Sequence, residues 1–395
     1  MNTEVKRLLA VRFLRSLGQG ILVVDFSLYL KDLGYSGVFI GSIFAFASLF
    51  GAFGSIIVGI ISDKTKRKPF LKGYTLLLMS ASLLMFSSTN FYIIIIASIL
   101  GNFGLGSNGA AGPFSPADQA WLTEKILPDE RGNIFSINSA LGFTGMAIGA
   151  FLAVTPTFLK SLPNFYNYRI LFLFIFVNAF ITYFIIESVS EEDKRQQSIN
   201  YNKKEEKKEE YNLLKLILLN SLVGLSGGLR GPLIAYWFAV KFGIGAEKIA
   251  PVMAITFLIT GILSFYTSFL TKFIGIINAV VVERAIGLVF LIALPLSSNY
   301  IFAFIFYLLN QTFSRGSAGA RQALTVSIVG DNKRGLAVGL NAASMQIPRS
   351  IGPYITGILL NEGYFGLPFF IAAGLQGVYL LFYRKVFKNY NFPTE

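Results

Sequence analysis

Apolar stretches long enough to cross a bilayer, about 20 residues, recur along the whole chain. They fall at approximately 8–30, 37–61, 70–89, 91–114, 133–158, 166–187, 213–240, 247–271, 276–297, 299–319, 335–360 and 364–384. The pattern predicts helices, because isolated strands would leave backbone groups unsatisfied in lipid. One interval breaks the rhythm. From Glu187 to Tyr211 the chain turns polar, with Lys203 to Glu210 alternating pairs of lysines and glutamates. That run either extends the seventh helix through i,i+4 pairs or serves as a flexible tether. In both cases it is a charged linker, 188–212, dividing a first six-span bundle (1–187) from a second (213–395). The first apolar run follows a short basic N-terminus without a small-residue cleavage site, so a retained helix is expected there.

Charge gives the pattern a direction. Bases gather in alternate intervals: Lys6, Arg7 and Arg12, then Lys64 to Lys72, Lys125 and Arg131, the middle segment, Lys333 and Arg334, and Arg384 to Lys388. The opposite intervals hold only Lys31, Lys160, Arg169, Lys241 and Lys248. By the positive-inside rule this predicts a multi-pass protein of the cell membrane with both termini in the cytoplasm.

Composition agrees: 54% of the 395 residues are hydrophobic and 14% charged, against about a quarter charged in soluble chains. The net charge of +13 lies in short segments between spans, which argues for a bilayer partner and against nucleic acid. The chain has no cysteine and no histidine, so disulfides, thiolate chemistry and the usual metal ligands are missing. No cofactor is expected, and any proton coupling must use carboxylates.

The two halves repeat. Gln119-Ala120, Arg131-Gly132, Asn138 and Gly149 recur 203 positions later as Gln322-Ala323, Arg334-Gly335, Asn341 and Gly352, with weaker echoes between Leu17–Tyr29 and Leu225–Trp237. The expected fold is therefore an all-α membrane protein of twelve transmembrane helices in two pseudo-symmetric six-helix bundles, an arrangement used by transporters that rock about a midplane site.

The stretch Gly59 to Lys68 resembles the signature between helices 2 and 3 of the major facilitator superfamily, matched by Gly59, Asp63, Lys64, Arg67 and Lys68, with Lys66 where glycine is frequent. Asp118 to Gly132 is similar to that family's inner loop between helices 4 and 5. The resemblance covers the chain and implies a central cavity lined by helices 1, 4, 7 and 10, with alternating access. Signatures of the drug–proton antiporter branch are incomplete: helix 4 lacks the arginine before a glycine pair, and helix 5 has Gly142, Gly145 and Gly149 without the proline.

Charges inside spans are expensive and mark function. Asp25 in span 1 reads either as a coupling acid or as a carboxylate reaching water at the interface. Arg230 sits in Gly227-Gly228-Leu229-Arg230-Gly231-Pro232, where glycines and a proline loosen the helix, and the favoured partner is Asp25. Arg315 reads as a substrate contact or a snorkelling base, and Arg349, after Pro348, as a cavity or structural group. Asn102, Asn108, Asn310 and Gln311 are buried-amide candidates, while Tyr29, Tyr236 and Trp237 are packed aromatics more often than cavity residues. Asp118 with Arg321 is a candidate lock between halves. Asp63, with Arg131 or helix 11, is another, and Arg334 is the repeat counterpart of Arg131.

The leading expectation is a secondary active transporter or facilitator of a small organic solute. Arginines outnumber acids in the spans, which favours an anionic or amphipathic one. A proton-coupled exporter of hydrophobic compounds is the alternative, and a non-transporting sensor stays open. An enzyme would need a nucleophile with its base, or a metal, and no phosphate-binding loop for nucleotide hydrolysis is present. A monomer is expected.

Overall fold

The computed structural model describes residues 2–103, 112–127, 130–163, 165–191, 203–316 and 334–387. Among them the structure is entirely helical: α1 (Thr3–Asp32), α2 (Gly37–Lys64), α3 (Lys68–Ser87), α4 (Phe91–Leu100), α5 (Ser115–Glu124), α6 (Arg131–Leu152), α7 (Thr155–Phe158), α8 (Tyr166–Glu187), α9 (Lys203–Arg230), α10 (Ile234–Phe242), α11 (Ala246–Ile274), α12 (Ile276–Leu296), α13 (Tyr300–Gly316), α14 (Arg334–Asn361) and α15 (Leu367–Phe387). Polar residues start them where chain reversal demands it. Ser36 Oγ accepts from the Phe39 N–H, and Asn90 Oδ1 from that of Tyr92, each satisfying a donor with no partner inside the helix.

Seven of the described helices are long and apolar enough to cross a membrane, and α9 with α10, bent by 40° at their break, makes an eighth. The described helices fall in the order of the expected spans and are consistent with them. Helix α1 is less apolar because protein, not lipid, covers it: nearly every residue from Arg15 to Leu30 is buried. Outward-facing Phe53, Ile57, Phe151, Phe184, Val289 and Leu381 are exposed, as a lipid-facing belt must be. The Lys203–Glu210 run belongs to α9, the first of the two readings of that segment.

Two spans depart from simple rods. The break after Arg230 falls at Gly231-Pro232, where a proline removes a helical donor and clashes with the preceding turn. The fourth span was expected to run from 91 to 114, whereas α4 ends at Leu100 and Asn102 takes a left-handed conformation (φ 55°). Gly101 disfavours helix by about 1 kcal/mol relative to alanine, and residues 104–111 of the expected span lie outside the described residues.

The repeat is visible as one crossing made twice. A Cβ on Gly20 of α1 would lie 2.3 Å from the Met146 carbonyl oxygen of α6, and one on Gly228 of α9 would lie 2.1 Å from that of Arg349 in α14. Gly149 and Gly352 meet α1 and α9 from the other side just as closely. In lipid, where no hydrophobic force drives helices together, such small-residue contacts let backbones approach and gain dispersion and weak hydrogen bonds.

The halves meet along α2 with α14 and α6 with α11. At the end away from the chain termini, one continuous buried core includes α1, α2, α8, α10 and α11. At the termini end each half keeps its own cluster, around Leu9 and Trp121 in the first and around Leu219 and Tyr383 in the second. The molecule is closed at the far end, where α2 and α14 touch at Gly41–Pro353 and Gly37–Gly357.

Candidate functional site

The arginines inside the second-half spans gather. Helix α9 delivers Arg230 at its last residue, where the break frees it, and its Nη1 donates to Asn310 Oδ1 of α13 at 2.5 Å. Asn310 is held in turn by its own Nδ2, which donates to the Gly287 carbonyl at 2.7 Å. One turn on from Asn310, Arg315 stands over the Phe257 ring of α11, 5.9 Å from its centroid. Arg230 and Arg315 both lie within electrostatic reach of the Tyr307 phenol, and Arg349 of α14 within reach of Arg315. The Arg349 guanidinium flanks the break, with Nη2 3.9 Å from a Cβ built on Gly231. Arg230 and Arg315 thus flank Tyr307, and Arg349 from a third helix stands near Arg315 and the break. Such a group holds together in a membrane only with counter-charge or water.

The expected Asp25–Arg230 pair is not formed. Asp25 is 4% exposed and neither carboxylate oxygen has a hydrogen-bond partner among the described residues, while Arg230 donates to Asn310. The reason is helical register. Asp25 lies one turn from Ile21, which packs on Gly149 of α6, and one turn from Tyr29, whose ring meets Tyr168 and Phe172 of α8. It therefore faces the first half's own helices.

Asp118 also finds its partner at home. Its Oδ1 accepts from Arg15 Nη1 at 3.3 Å, and the Arg15 guanidinium lies 3.8 Å from the Phe114 ring centroid. Arg321, proposed for that role, lies outside the described residues. The α2–α3 loop is tied down similarly. Arg67 pairs with Glu124 of α5, and the Arg67 and Lys68 backbone N–H groups donate to Glu191. The Lys68 ammonium donates to the Glu187 carbonyl at 2.6 Å. These bonds anchor the loop to its own half rather than across the interface. The Asp63, Lys64 and Arg334 side chains and Asn108 lie outside the described residues, and Arg131 is exposed. Gly59 is not a close contact, since a Cβ there would meet Pro116 at an ordinary 3.7 Å. Gly54 is one, 2.6 Å from Pro113.

The aromatics are packing groups. Trp237 is buried against Phe238, Phe242 and Phe369, with Nε1 donating to the Phe365 carbonyl at 2.7 Å. Tyr236 sits at the far-end crossing beside Gly37. Gln311 is buried on α13. Asn102, by contrast, is buried with its Oδ1 unpartnered. Sequence reasoning missed Arg15, which stands two turns inside the first span. The argument applied to Arg230, that a base within a span needs a reason, would have found it.

Seven or eight apolar spans among the described residues, packed as one helical membrane body with a broken helix and convergent arginines within, fit a multi-pass membrane transporter. The sequence model of the Major Facilitator Superfamily matches residues 8–218, more than half of the chain, and the chain belongs to that superfamily. It is 22% identical over 414 residues to an uncharacterized membrane protein of Saccharomyces cerevisiae, covering 95% of this chain and 92% of the relative. It is 24% identical over 403 residues to the quinolone resistance protein NorA of Staphylococcus aureus, covering 98% and 97%. Its fold is similar to that of a bacterial homolog of the human lysosomal transporter Spinster in an inward-facing, unoccupied conformation, with TM-score 0.70, 16% identity and 99% and 98% coverage.

Proposed function

We propose that this protein carries a small organic anion across the cell membrane by alternating access, with the anion held by Arg230, Arg315 and Arg349. The observation behind this reading is the convergence of these guanidiniums near the α9–α10 break, with Arg230 on Asn310, Arg230 and Arg315 near Tyr307, and Arg349 near Arg315. An arginine at mid-span is unfavourable by about 2.5–3.5 kcal/mol on translocon scales, and an incoming carboxylate offsets that penalty with charge-assisted hydrogen bonds. The two halves, 1–187 and 213–395, rock about this site, and the basic intervals support an orientation with both termini in the cytoplasm. The exchange of the shared far-end core for contacts at the termini end is the access step.

A second reading is favoured by Asp25, a buried carboxyl with no hydrogen-bond partner among the described residues, and by the likeness to a quinolone resistance protein. It is proton-coupled export of hydrophobic compounds, with Asp25 taking up and releasing the proton. Uptake by proteoliposomes of an anionic, neutral and cationic panel, with and without a pH gradient, separates the two. The first reading predicts saturable flux of an anion that Asp25→Asn retains. Flux restricted to cationic compounds, driven by the pH gradient and lost in Asp25→Asn, would replace it with the second.

A further inference from the structure

Arg315 has the simplest surroundings of the arginines at the candidate site. It is partly exposed on α13, stands over the Phe257 ring, and makes no hydrogen bond and no ion pair among the described residues. Its nitrogens are not sealed in the protein, as Arg15 Nη2 is. The Tyr307 hydroxyl is its neutral counterpart. The Tyr307 ring meets Phe238 edge-on with centroids 6.0 Å apart, and the residue is 3% exposed. Its hydroxyl has no hydrogen-bond partner among the described residues, yet it is not closed off as the hydroxyls of Tyr29 and Tyr379 are. It lies in the field of Arg315 and, more weakly, of Arg230. Arg230 in turn donates to Asn310, one turn further along α13. A charged donor and a neutral donor therefore stand near each other, neither meeting a protein acceptor and neither sealed from accessible space.

Donors without acceptors inside a bilayer are unfavourable until an acceptor arrives. A carboxylate has two oxygens with several lone pairs, enough to accept N–H bonds from a guanidinium and an O–H bond besides. We propose that Tyr307 is a specificity-determining residue of this site, its hydroxyl donating to the anion that Arg315 holds, and that it selects an organic carboxylate over a sulfonate of the same charge. This rests on the anion reading of the site and adds to it a residue and a class of anion. The discrimination comes from the acceptor. Attraction to a guanidinium depends chiefly on charge and distance, and both anions carry one charge. A phenol O–H bond strengthens with the basicity of its acceptor, and carboxylate oxygens are far more basic than sulfonate oxygens. Phe257 covers one face of the Arg315 guanidinium and leaves its edge to the anion, while the Phe238 contact holds the phenol ring in place.

The experiment follows modification of Arg315 by phenylglyoxal in the purified full chain, read by peptide mass spectrometry, with increasing benzoate or benzenesulfonate. In the wild type, benzoate is expected to protect Arg315 at a concentration about 10-fold lower than benzenesulfonate, the margin of one hydrogen bond to a charged acceptor. In Tyr307→Phe, which keeps the ring against Phe238, Arg315 should react at the wild-type rate without anion. Protection by benzoate should then weaken about 10-fold, with protection by benzenesulfonate little changed, so that the preference disappears. A role in packing alone would shift both anions together. Should Tyr307→Phe not fold, seen as fast modification at every arginine, the wild-type comparison of the two anions decides. Absence of protection by benzoate, equal protection by the two anions in the wild type, or an intact preference in folded Tyr307→Phe overturns the proposal. Counterflow of labelled benzoate in proteoliposomes separates this from the transport reading. Protection with the preference but without counterflow upholds Tyr307 and counts against transport, whereas counterflow without the preference does the reverse.

Discussion

At the scale of single residues, the molecule sorts its charges by whether they are met. Glu4 is the clearest case outside the spans. Its carboxylate holds Lys125 at 2.7 Å and the Ser190 N–H at 3.2 Å, tying the start of α1 to α5 and to the chain after α8. The lysine and the serine together hold its pKa below the ordinary carboxylate value of 4.5. A folded pKa below the unfolded one means that the tie is fully present at neutral pH and is lost as pH falls through the lower, folded value. The effect is modest, because the pair reaches solvent. Hydrogen-exchange protection of the first turns of α1 should therefore hold at pH 7 and drop as the pH falls below the ordinary carboxylate value of 4.5, and Glu4→Gln should show the lowered protection at both. Equal protection in wild type and variant at pH 7 would show that the tie contributes nothing. Other residue roles were only partly legible in the chain. Arg230 announced itself through its glycines and proline, whereas the surroundings of Asp25 depended on the direction α1 turns each side chain, which only packing against α6 and α8 settles. Arg15 was hidden by its closeness to the basic N-terminus, since the depth of the interface along α1 is not written in hydropathy.

At the scale of elements, helix order and length followed from the apolar runs, and the breaks followed where glycine and proline act together. In the fourth span α4 ends before Gly101, since glycine is apolar yet a poor helix former, and residues 104–111 lie outside the described residues. Trp237 shows the same limit from another side: its indole N–H is satisfied by a carbonyl 128 positions away, a contact no local pattern contains. The crossings between elements make a graded prediction. A Cβ at Gly149 would stand 2.0 Å from the Leu17 carbonyl oxygen, and one at Gly352 2.2 Å from the Gly228 carbonyl carbon, so both helix pairs would have to part. Gly149→Ala and Gly352→Ala should each lower the melting temperature of the purified protein by several degrees, corresponding to about 1–3 kcal/mol of overpacking. Gly59→Ala, with its nearest foreign atom at 3.7 Å, should leave it unchanged. The family-like glycine is thus the tolerant one, and the glycines that repeat between the halves are the strict ones. Equal destabilisation at all three positions would remove the crossing argument.

At the scale of the whole molecule, closure at the far end and separate clusters at the termini end describe one of the two states that alternating access requires. The cysteine-free chain accepts spin labels cleanly. Exposed Lys31 and Glu362 mark the far end of the two halves, and exposed Leu127 and Arg384 the termini end. With labels at cysteines placed there, the 31–362 distance should be short and narrowly distributed without solute. During turnover it should gain a longer population while 127–384 gains a shorter one; two distributions that never change would show a rigid molecule. The most direct test of the account concerns the charge of the cargo. Counterflow of a labelled organic anion is measured in proteoliposomes holding equal amounts of folded wild type, Arg230→Gln and Arg315→Gln. The account predicts counterflow in the wild type and a loss of at least tenfold in both variants, with melting temperatures unchanged. Undiminished anion counterflow in both folded variants would contradict it.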